Sequence, residues 1–258
     1  MSIVLAALLG FIQGLTEFLP VSSSGHLVVF QSWLHEEHTP VVFDLVLHIG
    51  TLLPIVWVYR DTLVELIKGV VSKPLAPENR LAVWIVLGSV PTAMIGLAFE
   101  DLFEQIFQTP KMVAGAFFVT GSFLFATQYL SEGSRDETAM TWKDALLIGT
   151  IQGLAITPGI SRSGSTIAIA MLLGLKRDLA AKYSFLLSIP AIVGGFLLKA
   201  DELTVDASTL PSLGAGFVVS ALSGLVALKI LLRLVNSGDF SKFAYYLWAI
   251  ALIGWFVL

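Results

Sequence analysis

The sequence predicts an all-α integral membrane protein made of two inverted-topology repeats, each a re-entrant helix hairpin plus three transmembrane helices. Three observations lead there. The 258 residues are 56% hydrophobic and only 13% charged, against about 25% charged in an average soluble protein. Uncharged runs recur, as at 112–130 and 243–258, and about 20 helical residues cross a hydrocarbon core of roughly 30 Å. A stretch near the start also returns 139 positions later without gaps, pairing Gly10/Gly149, Ile12/Ile151, Gln13/Gln152, Gly14/Gly153, Leu15/Leu154, Ser22/Ser161, Ser24/Ser163 and Gly25/Gly164.

Residues 2–16 read as an apolar helix too short to span, ended by Glu17 and Pro20, with a second short segment at about 25–34 after a serine-rich break. Short apolar segments around a polar break suit a re-entrant hairpin, whose loop backbone must be satisfied by protein or water. Spans are expected at about 42–60, 81–99 and 112–130. The pattern then restarts with a helix at 143–156, a break at Thr157–Ser163 and a helix at 164–174, followed by spans at about 180–198, 211–234 and 242–257. An odd number of crossings between the hairpins inverts the second half. The chain is thus expected to be a single membrane domain, 1–258, with repeat one at about 1–130 and repeat two at about 140–258.

No basic segment precedes the first apolar stretch, so no removable signal peptide is expected. The absence of cysteine excludes disulfide and thiolate chemistry. A net charge of −4 argues against a nucleic-acid partner. Loops on one side carry twelve Lys and Arg residues; those on the other carry only Lys111 and Lys199 beside several acids. The basic side is expected to be cytoplasmic, leaving both termini and the first hairpin on the outer face.

Arg162 belongs to neither set, because it falls in the second hairpin break. An arginine at membrane depth costs about 2.5–3.5 kcal/mol on insertion scales and therefore needs a cavity and an anionic partner. The run Ser161-Arg162-Ser163-Gly164-Ser165-Thr166 opens a helix, where free N–H groups and the helix dipole favour an anion. A guanidinium fork matches phosphate oxygens, and Ser161, Ser163 and Thr166 offer hydroxyls. Capping is the structural alternative for one of these hydroxyls, but it leaves Arg162 unexplained.

In the first hairpin, Gln13 and Glu17 share a helix face at i, i+4. Ser22-Ser23-Ser24 starts the next helix, with His26 in its first turn. A carboxylate, a hydroxyl and an imidazole are the parts of phosphoryl transfer. Asp44 and His48, again i, i+4, read first as a helix-to-helix hydrogen bond and second as a proton or metal pair. His35-Glu36-Glu37-His38 reads as a solvated outer loop rather than a metal cluster. Gly115, Gly121, Gly194, Gly195, Gly214 and Gly216 suggest close helix contacts. Trp57, Tyr59, Trp142, Tyr245 and Trp255 suggest interfacial anchors.

The stretches Gln13-Gly14-Leu15-Thr16-Glu17-Phe18-Leu19-Pro20-Val21-Ser22-Ser23-Ser24-Gly25-His26 and Pro158-Gly159-Ile160-Ser161-Arg162-Ser163-Gly164-Ser165-Thr166 resemble the two signature motifs of the undecaprenyl-diphosphate phosphatases, or bacitracin-resistance proteins. The resemblance covers essentially the whole chain. It implies hydrolysis of undecaprenyl diphosphate to undecaprenyl phosphate and inorganic phosphate in the bacterial inner membrane. That reaction recycles a lipid carrier for cell-wall synthesis and confers bacitracin resistance. It also implies functional positions at Glu17, Ser23, His26 and Arg162, a phosphate pocket including Ser161, Ser163, Thr166 and Ser24, and a divalent cation, magnesium or calcium, at Glu17. Many members carry glutamate where this chain has Gln13; here that residue supports, and Glu17 alone carries any carboxylate task. Ser23 is then the preferred nucleophile with His26 as base, while direct attack by His26 or by a water it activates is the other route these residues allow. A polyprenyl-phosphate transporter or flippase is the rival reading, since inverted repeats are common among transporters. A homodimer is left open.

Overall fold

A computed structural model describes residues 1–33, 41–72, 79–200 and 206–257. The His35-Glu36-Glu37-His38 segment lies outside them. The described residues form twelve α-helices joined by short turns and 3₁₀ segments.

α1 (Ile3–Phe18) begins at Ser2, whose hydroxyl accepts from the Leu5 N–H, and ends where Leu19 turns extended before Pro20. Its buried stripe is Ala6, Leu9, Gly10, Gln13, Gly14 and Glu17, at helical spacing, while Val4, Leu8 and Phe11 are exposed. In a membrane this divides one lipid-facing side from one protein-facing side that carries every polar group of the helix interior. α2 (Ser23–Trp33) completes the first hairpin, and α3 (Val41–Val58) follows.

α3 does not run on to the expected 60. The chain bends by 84° into α4 (Arg60–Ser72), which buries none of its residues. Its charges, Arg60, Asp61, Glu65 and Lys68, sit among exposed Val64, Ile67, Val70 and Val71, a pattern suited to lying in the interface. α5 (Arg80–Ala98) exposes Val83, Val86, Val90, Met94 and Leu97 along one stripe. A second unexpected short helix, α6 (Glu100–Phe107), follows, burying Phe103 and Ile106 beneath exposed acids. Charge density made both α4 and α6 look like loops in the sequence.

α7 (Pro110–Ala126), α8 (Trp142–Leu154), α9 (Arg162–Leu172), α10 (Arg177–Leu198), α11 (Leu210–Ser237) and α12 (Phe243–Val257) complete the chain. Among the described residues, four helices are long and apolar enough to span, or five if α3 and α4 count as one bent span. The expected span at 242–257 is shorter than that, at 15 residues. The chain is a multi-pass membrane protein.

The halves interlock. α1 lies along α11, α8 along α5, and α7 along α12. Glycines make the first two contacts: a Cβ on Gly10 would stand 2.5 Å from the Gly216 carbonyl oxygen, and one on Gly149 would stand 2.0 Å from that of Gly88. Gly10 and Gly149 are a sequence pair doing the same job. Among the span glycines expected to make close contacts, a Cβ on Gly115, Gly194, Gly195 or Gly214 would meet no described residue within 4 Å across from its own helix; Gly121, against Trp248, and Gly216, against Leu47 and Phe43, are tightly packed.

Candidate active site

The two helix breaks meet. Ser22 adopts a left-handed φ of 68°, the one non-glycine residue to do so among the described residues. Its Oγ accepts from the Gly159 N–H (3.1 Å) in the other break, where Gly159 has φ 90°. Ser163 donates back across the seam to the Leu19 carbonyl (3.3 Å). Thr120 of α7 secures the second break, donating to the Gly159 carbonyl (2.9 Å) and accepting from the Ser161 N–H (3.2 Å). Backbone so far from regular helix survives at depth only when its polar groups are paired in this way.

The junction puts Glu17 at the centre. One carboxylate oxygen, Oε2, accepts from Gln13 Nε2 (2.9 Å) and from the Ser23 hydroxyl (2.6 Å). The other, Oε1, accepts from Arg162 Nη2. Both charged side chains are largely withdrawn from solvent, so each offsets a burial cost that would be several kcal/mol for either one alone. Arg162 is the first residue of α9, immediately after the N-cap Ser161, which accepts from the Gly164 N–H (3.0 Å). Its Nη1 is buried with no hydrogen-bond partner among the described residues.

A cavity of about 290 Å³ opens onto this pair. Glu17, Ser23, Ser24, Asp44, His48 and Arg162 form its polar wall; Phe107, Ile156, Ala191, Ile192 and Phe196 form an apolar one. The chamber therefore suits a ligand with an anionic head and a hydrocarbon body.

The structure brings Gln13, Glu17, Ser23 and Arg162 into one hydrogen-bonded group, with Ser24 and Ser161 beside them on the wall. It does not bring His26 to Ser23. The imidazole is buried, its Nδ1 on the Ser22 carbonyl (2.8 Å) and its Nε2 on the Tyr246 hydroxyl (2.6 Å). The side chain curls back one turn instead of reaching along the helix, so the base expected for Ser23 points elsewhere. Ser163 and Thr166 are likewise absent from the wall. Ser163 bonds across the seam, while Thr166 donates to the Arg162 carbonyl (2.8 Å) and pairs with Ser184 of α10 (2.5 Å).

One imidazole does face the carboxylate. His48 Nδ1 donates to its own helix at the Asp44 carbonyl (2.7 Å), which leaves Nε2 3.7 Å from Glu17 Oε2. Asp44 accepts from Gln31 of α2 (3.1 Å), the helix-to-helix bond that its spacing suggested. The signal for His48 was present in the sequence as an ionisable pair within an apolar span.

The cation expected at Glu17 finds a poor donor set. Mg²⁺ and Ca²⁺ take carboxylate and carbonyl oxygens, yet both oxygens of Glu17 are already engaged. Among the described residues, no three His, Cys, Asp or Glu side chains group as a metal site. The described residues thus form no closed protein cage, and a divalent cation here would be held by Glu17 on the cavity wall together with substrate phosphates.

Residues 6–253 match the family described as Bacitracin resistance protein BacA. The undecaprenyl-diphosphatase of Desulfatibacillum aliphaticivorans is 43% identical, over 94% of each chain. Those of Carboxydothermus hydrogenoformans (41%, over 94% of this chain and 92% of the relative) and Methanosphaera stadtmanae (40%, over 98% and 97%) are similarly alike.

Proposed function

This chain belongs to the bacitracin resistance protein family, and on that premise we propose that it hydrolyses undecaprenyl diphosphate to undecaprenyl phosphate and inorganic phosphate. The observation that carries the reading is the Glu17–Ser23–Arg162 group at the polar end of a half-apolar chamber. The polyprenyl tail runs along the apolar wall, and the diphosphate sits against the Arg162 side chain that lines the cavity and the first turn of α9.

Ser23 Oγ attacks the terminal phosphorus. As the Oγ–P bond forms, the bond to the bridging oxygen breaks, and undecaprenyl phosphate leaves with the electron pair. Glu17 Oε2, already hydrogen-bonded to the Ser23 hydroxyl, accepts its proton. Once Glu17 has passed that proton on through His48, water attacks the phosphoserine and gives a proton to Glu17, which hands it to Ser23 Oγ as the Oγ–P bond breaks and inorganic phosphate leaves. Arg162 stabilises the charge that gathers on the equatorial oxygens in both steps. His48, facing Glu17 from the cavity, exchanges the proton with solvent. His26 takes no proton from Ser23 in this scheme; it shapes the loop.

The same reading makes the halves inverted repeats, with a shared site at the seam, in the bacterial inner membrane, and with the basic loops on the cytoplasmic side. The test is phosphate release from long-chain polyprenyl diphosphate by detergent-solubilised protein, where no second compartment exists. Release that disappears in Glu17→Ala and Ser23→Ala supports the reading, as does a phosphoserine trapped at Ser23. A pure transporter would release no phosphate.

A further inference from the structure

Nothing in the hydrolytic scheme uses Tyr246, yet it makes one of the shortest side-chain contacts near the junction. It stands on α12, 220 residues from its partner His26, with a hydroxyl-to-Nε2 distance of 2.6 Å. The two rings lie nearly parallel, 12° apart, with centroids separated by 5.7 Å. Phe117 closes the other side edge-on at 5.1 Å. His26 is 1% exposed, so no solvent is available to satisfy its ring nitrogens.

The tautomer follows from the partners. A carbonyl oxygen can only accept, so His26 Nδ1, against the Ser22 carbonyl, carries the hydrogen. The neutral ring then presents a lone pair at Nε2, which only a donor can satisfy, and Tyr246 supplies one. Ser22 is the residue held left-handed, a conformation that a side chain adopts only when its surroundings enforce it. The next residue is Ser23, whose hydroxyl meets Glu17.

We propose that Tyr246 is a positioning residue for the hydrolysis: its hydroxyl, donating to His26 Nε2, fixes the imidazole that grips the Ser22 carbonyl and so holds the turn presenting Ser23 to Glu17. This rests on the phosphatase reading for its consequence, but not for its geometry. A phenylalanine keeps the stacked ring and leaves a buried lone pair unpaired, which the ring relieves by turning and releasing Ser22.

The experiment uses full-length protein in detergent, with Tyr246→Phe, His26→Ala and the double variant. Tyr246→Phe is expected to lower kcat about tenfold, the scale of one lost neutral hydrogen bond, and to leave KM within about twofold. In the His26→Ala background the same change should cost nothing further, because the route is already cut. Imidazole ¹⁵N spectra, with His26 assigned by its absence from His26→Gln, should show Nδ1 protonated and Nε2 accepting in the parent, and a mixed tautomer in Tyr246→Phe. An unchanged kcat, additive losses, or a parent His26 protonated at Nε2 would each overturn the proposal. The spectra decide the geometry whether or not phosphate is released, so loss of the phosphatase reading would be seen separately, as a parent protein without turnover.

Discussion

Arg162 and Glu17 are each tolerable away from solvent because of the other. Replacing Arg162 by alanine removes the donor available to phosphate oxygens and also strands a buried carboxylate. Turnover should fall about 10²–10³-fold, as for other preorganised electrostatic groups, and thermal stability in detergent should fall with it. Arg162→Lys separates the two effects: the charge stays near Glu17, so stability recovers, while the two-pronged contact is lost and turnover remains well below the parent. Phosphate release and thermal unfolding measured on the same preparations check this, and near-parental turnover in Arg162→Ala would contradict it. Arg162 was legible in the sequence because a charge in an apolar break has few explanations; that Glu17 is its direct partner was not. The directions of His26, Ser163 and Thr166 were not. Spacing puts residues on a helix face, but a side chain in a first turn can fold back on its own backbone, as His26 does on Ser22. His48 is the same case, since spacing alone does not tell that its Nε2 faces Glu17.

At the scale of helices, the spans that carry unbroken apolar runs were readable, whereas α4 and α6 were not. Their charges mark solvent, and the hydrophobic stripe beneath the charges is short enough to pass for chance in a loop. The role of glycine was readable only in part. Gly10 and Gly149, which match in sequence, pack backbone to backbone against Gly216 and Gly88, but a Cβ on four of the span glycines would meet open space. That contrast gives a paired prediction. Gly149→Ala would drive a methyl into the Gly88 peptide, where neither helix backbone can give way, and overpacking of this type costs about 1–3 kcal/mol. Gly214→Ala has open space and replaces a poor helix former, so its unfolding temperature should match or slightly exceed the parent's. Thermal unfolding of the two variants in one detergent decides it; equal losses would mean that the α5–α8 contact is looser than described.

Across the whole molecule, neither half contains a complete packing partner for its own hairpin. α1 rests on α11 and α8 on α5, while α7 and α12 close against each other. The seam between the breaks adds polar locks: Gly159 to Ser22, Ser163 to Leu19 and Arg162 to Glu17. A half made alone would expose the glycine face of α1 or α8 and leave Glu17 or Arg162 as an unpaired charge at depth, which a membrane penalises. Cutting the chain after the exposed Ser131 removes no part of α1 through α12 and spares the Arg135–Asp144 pair that anchors the following loop. Residues 1–131 and 132–258 produced together should therefore copurify through a tag on either one and release phosphate. Each produced alone should aggregate or be degraded, and a mixture of separately purified halves should stay inactive. A stable, monodisperse 1–131 fragment would show that the first half holds its own hairpin, and the interlocked arrangement would then explain neither the stability of the site nor its position at the seam.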